Sequence, residues 1–270
     1  MRKHHYFEFV DLKFCPKAFR EVMMDTLANI TVLGNVFNDI APLITNVMNK
    51  TGTDEILDLC SGGGGPWQTL FNLIIAEKAN AKLTLSDLYP NAKCVAEYNS
   101  KQGQNISYEP QPINALDVPK SKKGVRTFFG SFHHMSPTNA VAVLSDAANK
   151  GTGIVVAESY SNTPAHNWKT LWLFILTSPF YFLFLWLLMG KSIKGTPVQK
   201  VIKVLFTYFI PIIPLLMIFD TFISSVRVYL KEDYDQMVAQ INVPGYIWET
   251  GTLSKNRSHI SYVIGYPEKK

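Results

Sequence analysis

The chain has 270 residues, 47% of them hydrophobic, with 26 Lys and Arg against 21 Asp and Glu for a formal net charge of +5. That length and apolar content suit one large core carrying an insertion. The basic residues are scattered instead of forming a phosphate-tracking run, which argues against a nucleic-acid partner. Cys15, Cys60 and Cys94 have neither metal-ligand spacing nor the density of a disulfide scaffold, so no metal is implied and a reducing cytoplasm is expected.

Met1 to Glu8 lacks an apolar h-region with a small-residue cleavage site, and no export signal is expected. Apolar positions over residues 17 to 50 recur at helical spacing, so an N-terminal helical cap is placed over 1–50. His4 and His5, beside Tyr6 and Glu8, could cap a site from this segment, although a merely packed terminus explains them as well. Glu55 to Leu59 then reads as a strand, Ser61-Gly62-Gly63-Gly64-Gly65-Pro66 as a turn, and Trp67 to Ile75 as a helix. The alternation continues through strands at Lys82–Ser86, Ile106–Glu109, Val125–Ser131 and Gly153–Glu158, with helices at Asn91–Lys101 and Asn139–Ala148. It predicts an α/β fold with a doubly wound, mostly parallel sheet over residues 51–168. Thr170 to Met189 and Val204 to Phe219 carry no charged residue and are joined by a connector holding Lys191, Lys194, Lys200 and Lys203; 169–219 reads as an apolar helical hairpin. Residues 220–270 complete the core, with a helix at Lys231–Ile241 and two closing strands at Tyr246–Leu253 and His259–Tyr266.

Three features carry chemistry. Glycines at the carboxyl end of the first strand let a ligand approach the backbone, and Asp58 within that strand favours a cationic or hydroxyl-bearing ligand. Asp87 ends the second strand about 20 residues later, where a carboxylate can accept both ribose hydroxyls. Asp117, after the third strand, could accept from an adenine amino group or serve as a turn cap. The run has no P-loop ending and lacks the last glycine of a dinucleotide fingerprint, which disfavours a nicotinamide enzyme.

Ile56-Leu57-Asp58-Leu59-Cys60-Ser61-Gly62-Gly63-Gly64 resembles the first motif of class I S-adenosylmethionine-dependent methyltransferases, with Cys60 in place of that motif's first glycine. Asp87, Leu116-Asp117 and Phe129-Gly130-Ser131-Phe132-His133-His134 are similar to the later motifs in order. The resemblance implies a seven-stranded Rossmann-like methyltransferase sheet with an antiparallel last strand, and S-adenosylmethionine as cofactor. It also implies cofactor contacts from Asp58, Cys60, Gly62, Gly64, Asp87 and Asp117. His133 and His134 at the edge of the fourth strand, and Glu158 after the fifth, are the candidates for handling the acceptor's proton. Asp220 and Arg227 are expected to pair and anchor the hairpin.

Both sides of the hairpin build one cytoplasmic cofactor domain, so two full spans would carry the lysine connector across, against the positive-inside tendency. A monotopic hairpin in the cytoplasmic leaflet is therefore expected, with a soluble lid and an integral membrane protein as the other readings. The acceptor is then a hydrophobic small molecule or lipid-like compound; the non-enzymatic alternative is a membrane-associated binding or scaffold protein with a degenerate methyltransferase fold.

Overall fold

The computed structural model describes residues 6–100, 105–161, 168–255 and 258–268, so His4 and His5 lie outside the described residues. In chain order the elements are α1 (Lys17–Leu33), α2 (Ala41–Thr51), β1 (Glu55–Asp58), α3 (Trp67–Glu77), β2 (Lys82–Leu85), α4 (Ala92–Asn99), β3 (Ile106–Tyr108), β4 (Val125–Phe129), α5 (Pro137–Asn149) and β5 (Ile154–Ser161). After these come α6 (Trp168–Leu188), α7 (Pro197–Val204), α8 (Ile212–Arg227), α9 (Lys231–Val238), β6 (Tyr246–Lys255) and β7 (Ser258–Pro267). The contacts divide the chain into two units, one built from Thr31–Ser159 with Val228–Lys270, the other from His4–Ile30 with Tyr160–Arg227.

The first unit is a seven-stranded sheet in the order β3-β2-β1-β4-β5-β7-β6. Strands β3, β2, β1, β4 and β5 are parallel neighbours, and β7 pairs antiparallel with β6. The central strands read as short apolar runs because both faces are covered. On one face Ile44, Val47 and Met48 of α2 and Leu70, Phe71 and Ile74 of α3 join a core with Ile56, Leu83 and Val155. On the other Ala140, Val143, Leu144 and Ala147 of α5 pack with Leu57, Phe128, Val156 and Tyr234. The connection from β3 to β4, residues 109–124, holds no helix. Polar Glu55, Lys82, Thr84, Ser107 and Lys122 consequently line an open groove of about 730 Å³ over β1, β2 and β3.

The second unit has its own apolar core, in which Phe19, Val22 and Met23 of α1 pack with Leu185 and Met189 and with Ile213 and Met217 of α8. The N-terminal stretch is thus divided at Ile30: α1 up to that point belongs with the apolar helices, and α2 with the sheet. Asp220 does not end the hairpin, since α8 runs unbroken to Arg227. Asp220 accepts the Phe9 and Val10 N–H groups at 2.7 and 3.1 Å, and Arg227 pairs with Glu8 at 3.0 Å and Asp11 at 3.2 Å. Both side chains therefore anchor residues 8–11 to α8, a role for which the expected Asp220–Arg227 pair is not needed.

Candidate active site at the carboxyl edge of the sheet

Strand order reverses between β1 and β4, whose following segments leave on opposite faces; a crevice at the carboxyl ends of two such strands is where doubly wound sheets bind ligands. Asp58 and Thr127 are register partners there. Thr127 Oγ1 donates to Asp58 Oδ1 at 2.6 Å and Ser61 Oγ to Asp58 Oδ2 at 2.6 Å, fixing the start of the glycine turn. Cys60 follows with φ of +57°, a left-handed conformation costly for a residue with a Cβ, at the position where the methyltransferase motif has glycine. At Gly64, φ is +104° and a Cβ would collide with the Tyr98 hydroxyl, so any other residue would be strained and would have to displace the Tyr98 ring. Tyr108 Oη closes the turn from below by donating to the Gly62 carbonyl at 3.0 Å.

Asp87 clasps the same turn from β2. Its Oδ2 accepts Gly62 N–H at 3.0 Å and its Oδ1 accepts Tyr89 N–H at 2.9 Å. Burial pushes Asp58 up to about 7, against the donors that favour its charge, and burial likewise raises Asp87. Neither carboxylate has a Lys or Arg partner among the described residues. Two acids held by hydroxyls and N–H groups, without a cation, would gain from a cationic, hydroxyl-bearing ligand, whose charge favours their ionised form.

A second pair is formed by the turn after β4 and by β5 itself: Glu158, expected just after the fifth strand, lies inside β5, one residue past the partner of Phe129. Glu158 is 1% exposed; its Oε1 accepts Phe132 N–H at 2.6 Å and His133 N–H at 3.2 Å, and its Oε2 lies 2.6 Å from His133 Nδ1. Burial works against charge on Glu158, but His133 and the Phe132 N–H outweigh it and hold the carboxyl below its usual range. The His134 ring stacks on that of His133 with centroids 4.4 Å apart. With both oxygens engaged, Glu158 holds the His133 ring in one orientation.

The structure therefore brings Asp58, Cys60, Gly62, Gly64, Asp87, His133, His134 and Glu158 to one edge. Asp117 is a correction. Its carboxylate bonds Lys150 Nζ at 2.7 Å, and Lys150 also holds Asp146 at 2.6 Å, both on the last turn of α5. That turn ends where β5 begins, so Asp117 sits at the amino edge, and Lys150 holds its carboxyl below the usual range. The β3–β4 crossover descends the whole sheet without a helix, and Asp117 lies far along that descent. Ile113, whose N–H donates to the Asp87 carbonyl at 2.9 Å, is the crossover residue that remains beside the site. Ser61, Thr127 and Tyr108 were missed by sequence reasoning; the register of Thr127 opposite Asp58 at two strand ends was the usable signal.

The strand order and the final antiparallel pair decide the architecture. This is the class I methyltransferase fold. No family model and no curated protein matches the chain. Among solved structures, human N-acetylserotonin methyltransferase in complex with SAM is 10% identical with a TM-score of 0.49, covering 98% of this chain, which spans 64% of that protein. A SAM-dependent methyltransferase from Aquifex aeolicus is 11% identical with a TM-score of 0.47, covering 90% of this chain and 97% of its own. A Rhodobacter sphaeroides protein described as a Zn-dependent alcohol dehydrogenase is 9% identical with a TM-score of 0.48, covering 94% of this chain and 100% of its own. The methyltransferase fold assigned to this chain rests on its own strand order.

Proposed function

We propose that the chain is an S-adenosylmethionine-dependent methyltransferase acting on a hydrophobic small molecule or lipid-like acceptor. The observation that carries this reading is the pair of carboxylates without a Lys or Arg partner among the described residues, buried Asp58 and half-buried Asp87, bracketing a glycine turn at the switch point of the sheet. Asp87 would hold the ribose hydroxyls, and the exposed backbone of the glycine turn would take the methionine moiety. Asp58, with its oxygens held by Ser61 and Thr127, supports the turn and contributes its field. S-adenosylmethionine supplies an electrophilic methyl group when bound. His133, steadied through Nδ1 by Glu158, would take the proton from an acceptor hydroxyl or amine. His134 packs against that ring and limits its rotation.

An apolar acceptor is supported by the composition of the second unit, where Leu, Phe and Ile dominate α6 and α8. The test is calorimetric titration of S-adenosylmethionine and its demethylated product into the detergent-purified chain and its Asp87→Ala variant. We expect micromolar binding to the wild type and a roughly 10- to 100-fold loss in the variant, the scale of hydrogen bonds to a charged group. A folded wild type that binds neither compound would turn the assignment toward a scaffold with a degenerate fold.

A further inference from the structure

We infer that the α6–α8 face of the second unit is a docking surface for an anionic lipid leaflet, on which the chain lies without spanning it. Leu176, Phe180, Leu183, Phe184 and Leu187 recur at spacings of four, three, one and three residues, and all are exposed, Phe180 at 77%. These positions form one stripe along α6. The opposite side of the same helix, Tyr181, Leu185 and Met189, packs into the unit's own core against Ile213 and Met217. Helix α6 is thus apolar on both its covered and its open side, which water does not favour. Val201 on α7, Phe209 at 76% exposure and Leu215 on α8 are exposed as well.

Charge selects the occupant. Between Ser159 and Phe219 the sequence holds Lys169, Lys191, Lys194, Lys200 and Lys203 and not one Asp or Glu. Lys203 is buried against Glu21 at 2.7 Å, whereas Lys191, Lys194 and Lys200 are exposed at the α6–α7 turn, Lys200 between Val198 and Val201. A second copy seated on this face would set one acid-free surface against another. Anionic headgroups neutralise the lysines while acyl chains cover the stripe. Trp186 and Tyr208 meet edge to face with centroids 5.1 Å apart, and the Tyr208 hydroxyl lies against Gly190 beside Lys191, an interfacial arrangement of aromatic and lysine.

Shape points to lying on the leaflet. No single helix among the described residues is long and apolar enough to cross a membrane, and Pro197–Phe209 and Ile212–Arg227 meet at a 71° bend. A broken pair of this kind is either a broken span or a re-entrant loop, and the carbonate extraction below separates the two.

The inference stands apart from methyl transfer, since docking is read without cofactor. The full chain is floated with vesicles of phosphatidylcholine alone and of phosphatidylcholine with one quarter phosphatidylglycerol. Partition should favour the anionic vesicles by roughly 100-fold, about a factor of five for each of three lysines. Phe180→Glu with Leu187→Glu should lower partition at least about tenfold with an unchanged melting temperature, as both side chains are exposed. Lys191→Gln, Lys194→Gln and Lys200→Gln together should reduce anionic binding to the neutral level, giving a second variant set that leaves the apolar stripe intact. The inference is overturned if neither vesicle retains the chain, if the acidic substitutions leave partition unchanged, or if the chain resists carbonate extraction as a spanning protein does. A dimer that dissociates on Leu187→Glu without vesicle binding would assign the face to a second copy.

Discussion

The two edges of the sheet use the same residue types to opposite electrostatic ends. At the amino edge Asp117 and Asp146 are matched by cations: Lys150 bridges the two, and Arg126, 1% exposed, reaches Asp146 at 2.7 Å. At the carboxyl edge Asp58 and Asp87 are held by hydroxyls and backbone N–H groups, and burial raises both. An acid whose charge is already matched braces structure; an acid held in place with its charge unmatched is available to a ligand. Glu158 lies between these cases, because its partner is the His133 ring and not a Lys or Arg.

The contrast can be tested from its strongest consequence downward. His133→Ala should lower the rate of methyl transfer, followed by labelled methyl entering an organic extract, by roughly 10² to 10⁴-fold while cofactor affinity stays within about twofold. Glu158→Gln, which keeps an acceptor for the ring but removes the charge, should cost less in kcat and leave KM unchanged. Asp117→Ala should leave the calorimetric affinity for S-adenosylmethionine within about twofold of wild type, against the large loss from Asp87→Ala; equal losses would erase the distinction between the edges.

A smaller effect is expected in the pH dependence of stability. Asp58 titrates near 3.8 unfolded and about 7 folded, so the fold favours its protonated form. Its contribution is complete below about pH 4 and is lost as pH rises to 7, and denaturant unfolding at stepped pH should show wild-type stability falling across that window. Asp58→Asn, unable to ionise, should flatten that fall. The smallest effect belongs to Cys60. Cys60→Gly should keep stability within about 1 kcal/mol of wild type, because glycine accepts φ of +57° freely, whereas β-branched Cys60→Val should lose about 1–2 kcal/mol in the same unfolding measurement.

The glycine turn was legible from the sequence because its signals are local. A strand of four residues, a glycine run and a helix follow one another, and Asp87 lies two residues past the end of the neighbouring strand, whose last residue Leu85 is in register with Asp58. His133 and His134 follow the end of β4 as the sequence order implied, whereas Glu158, expected directly after the fifth strand, lies inside β5, which continues to Ser161. Asp117 was misplaced because its partner Lys150 is 33 residues away and the path of a helix-free crossover has no periodicity to read. The division of the N-terminal helices was hidden for a similar reason. Helices α1 and α2 have comparable apolar stripes, and only tertiary contact shows that one packs with Leu185 and Ile213 and the other with Ile56 and Val155.

The helix-free crossover also sets how the sheet opens. Over β1, β2 and β3 one face is bordered by the polar groove instead of by a helix, so the amides of β3 at the sheet margin are shielded chiefly by α4 and their neighbour β2. Their exchange with deuterated water should proceed by local opening, orders of magnitude faster than that of β4 and β5, whose amides exchange only when the whole unit unfolds.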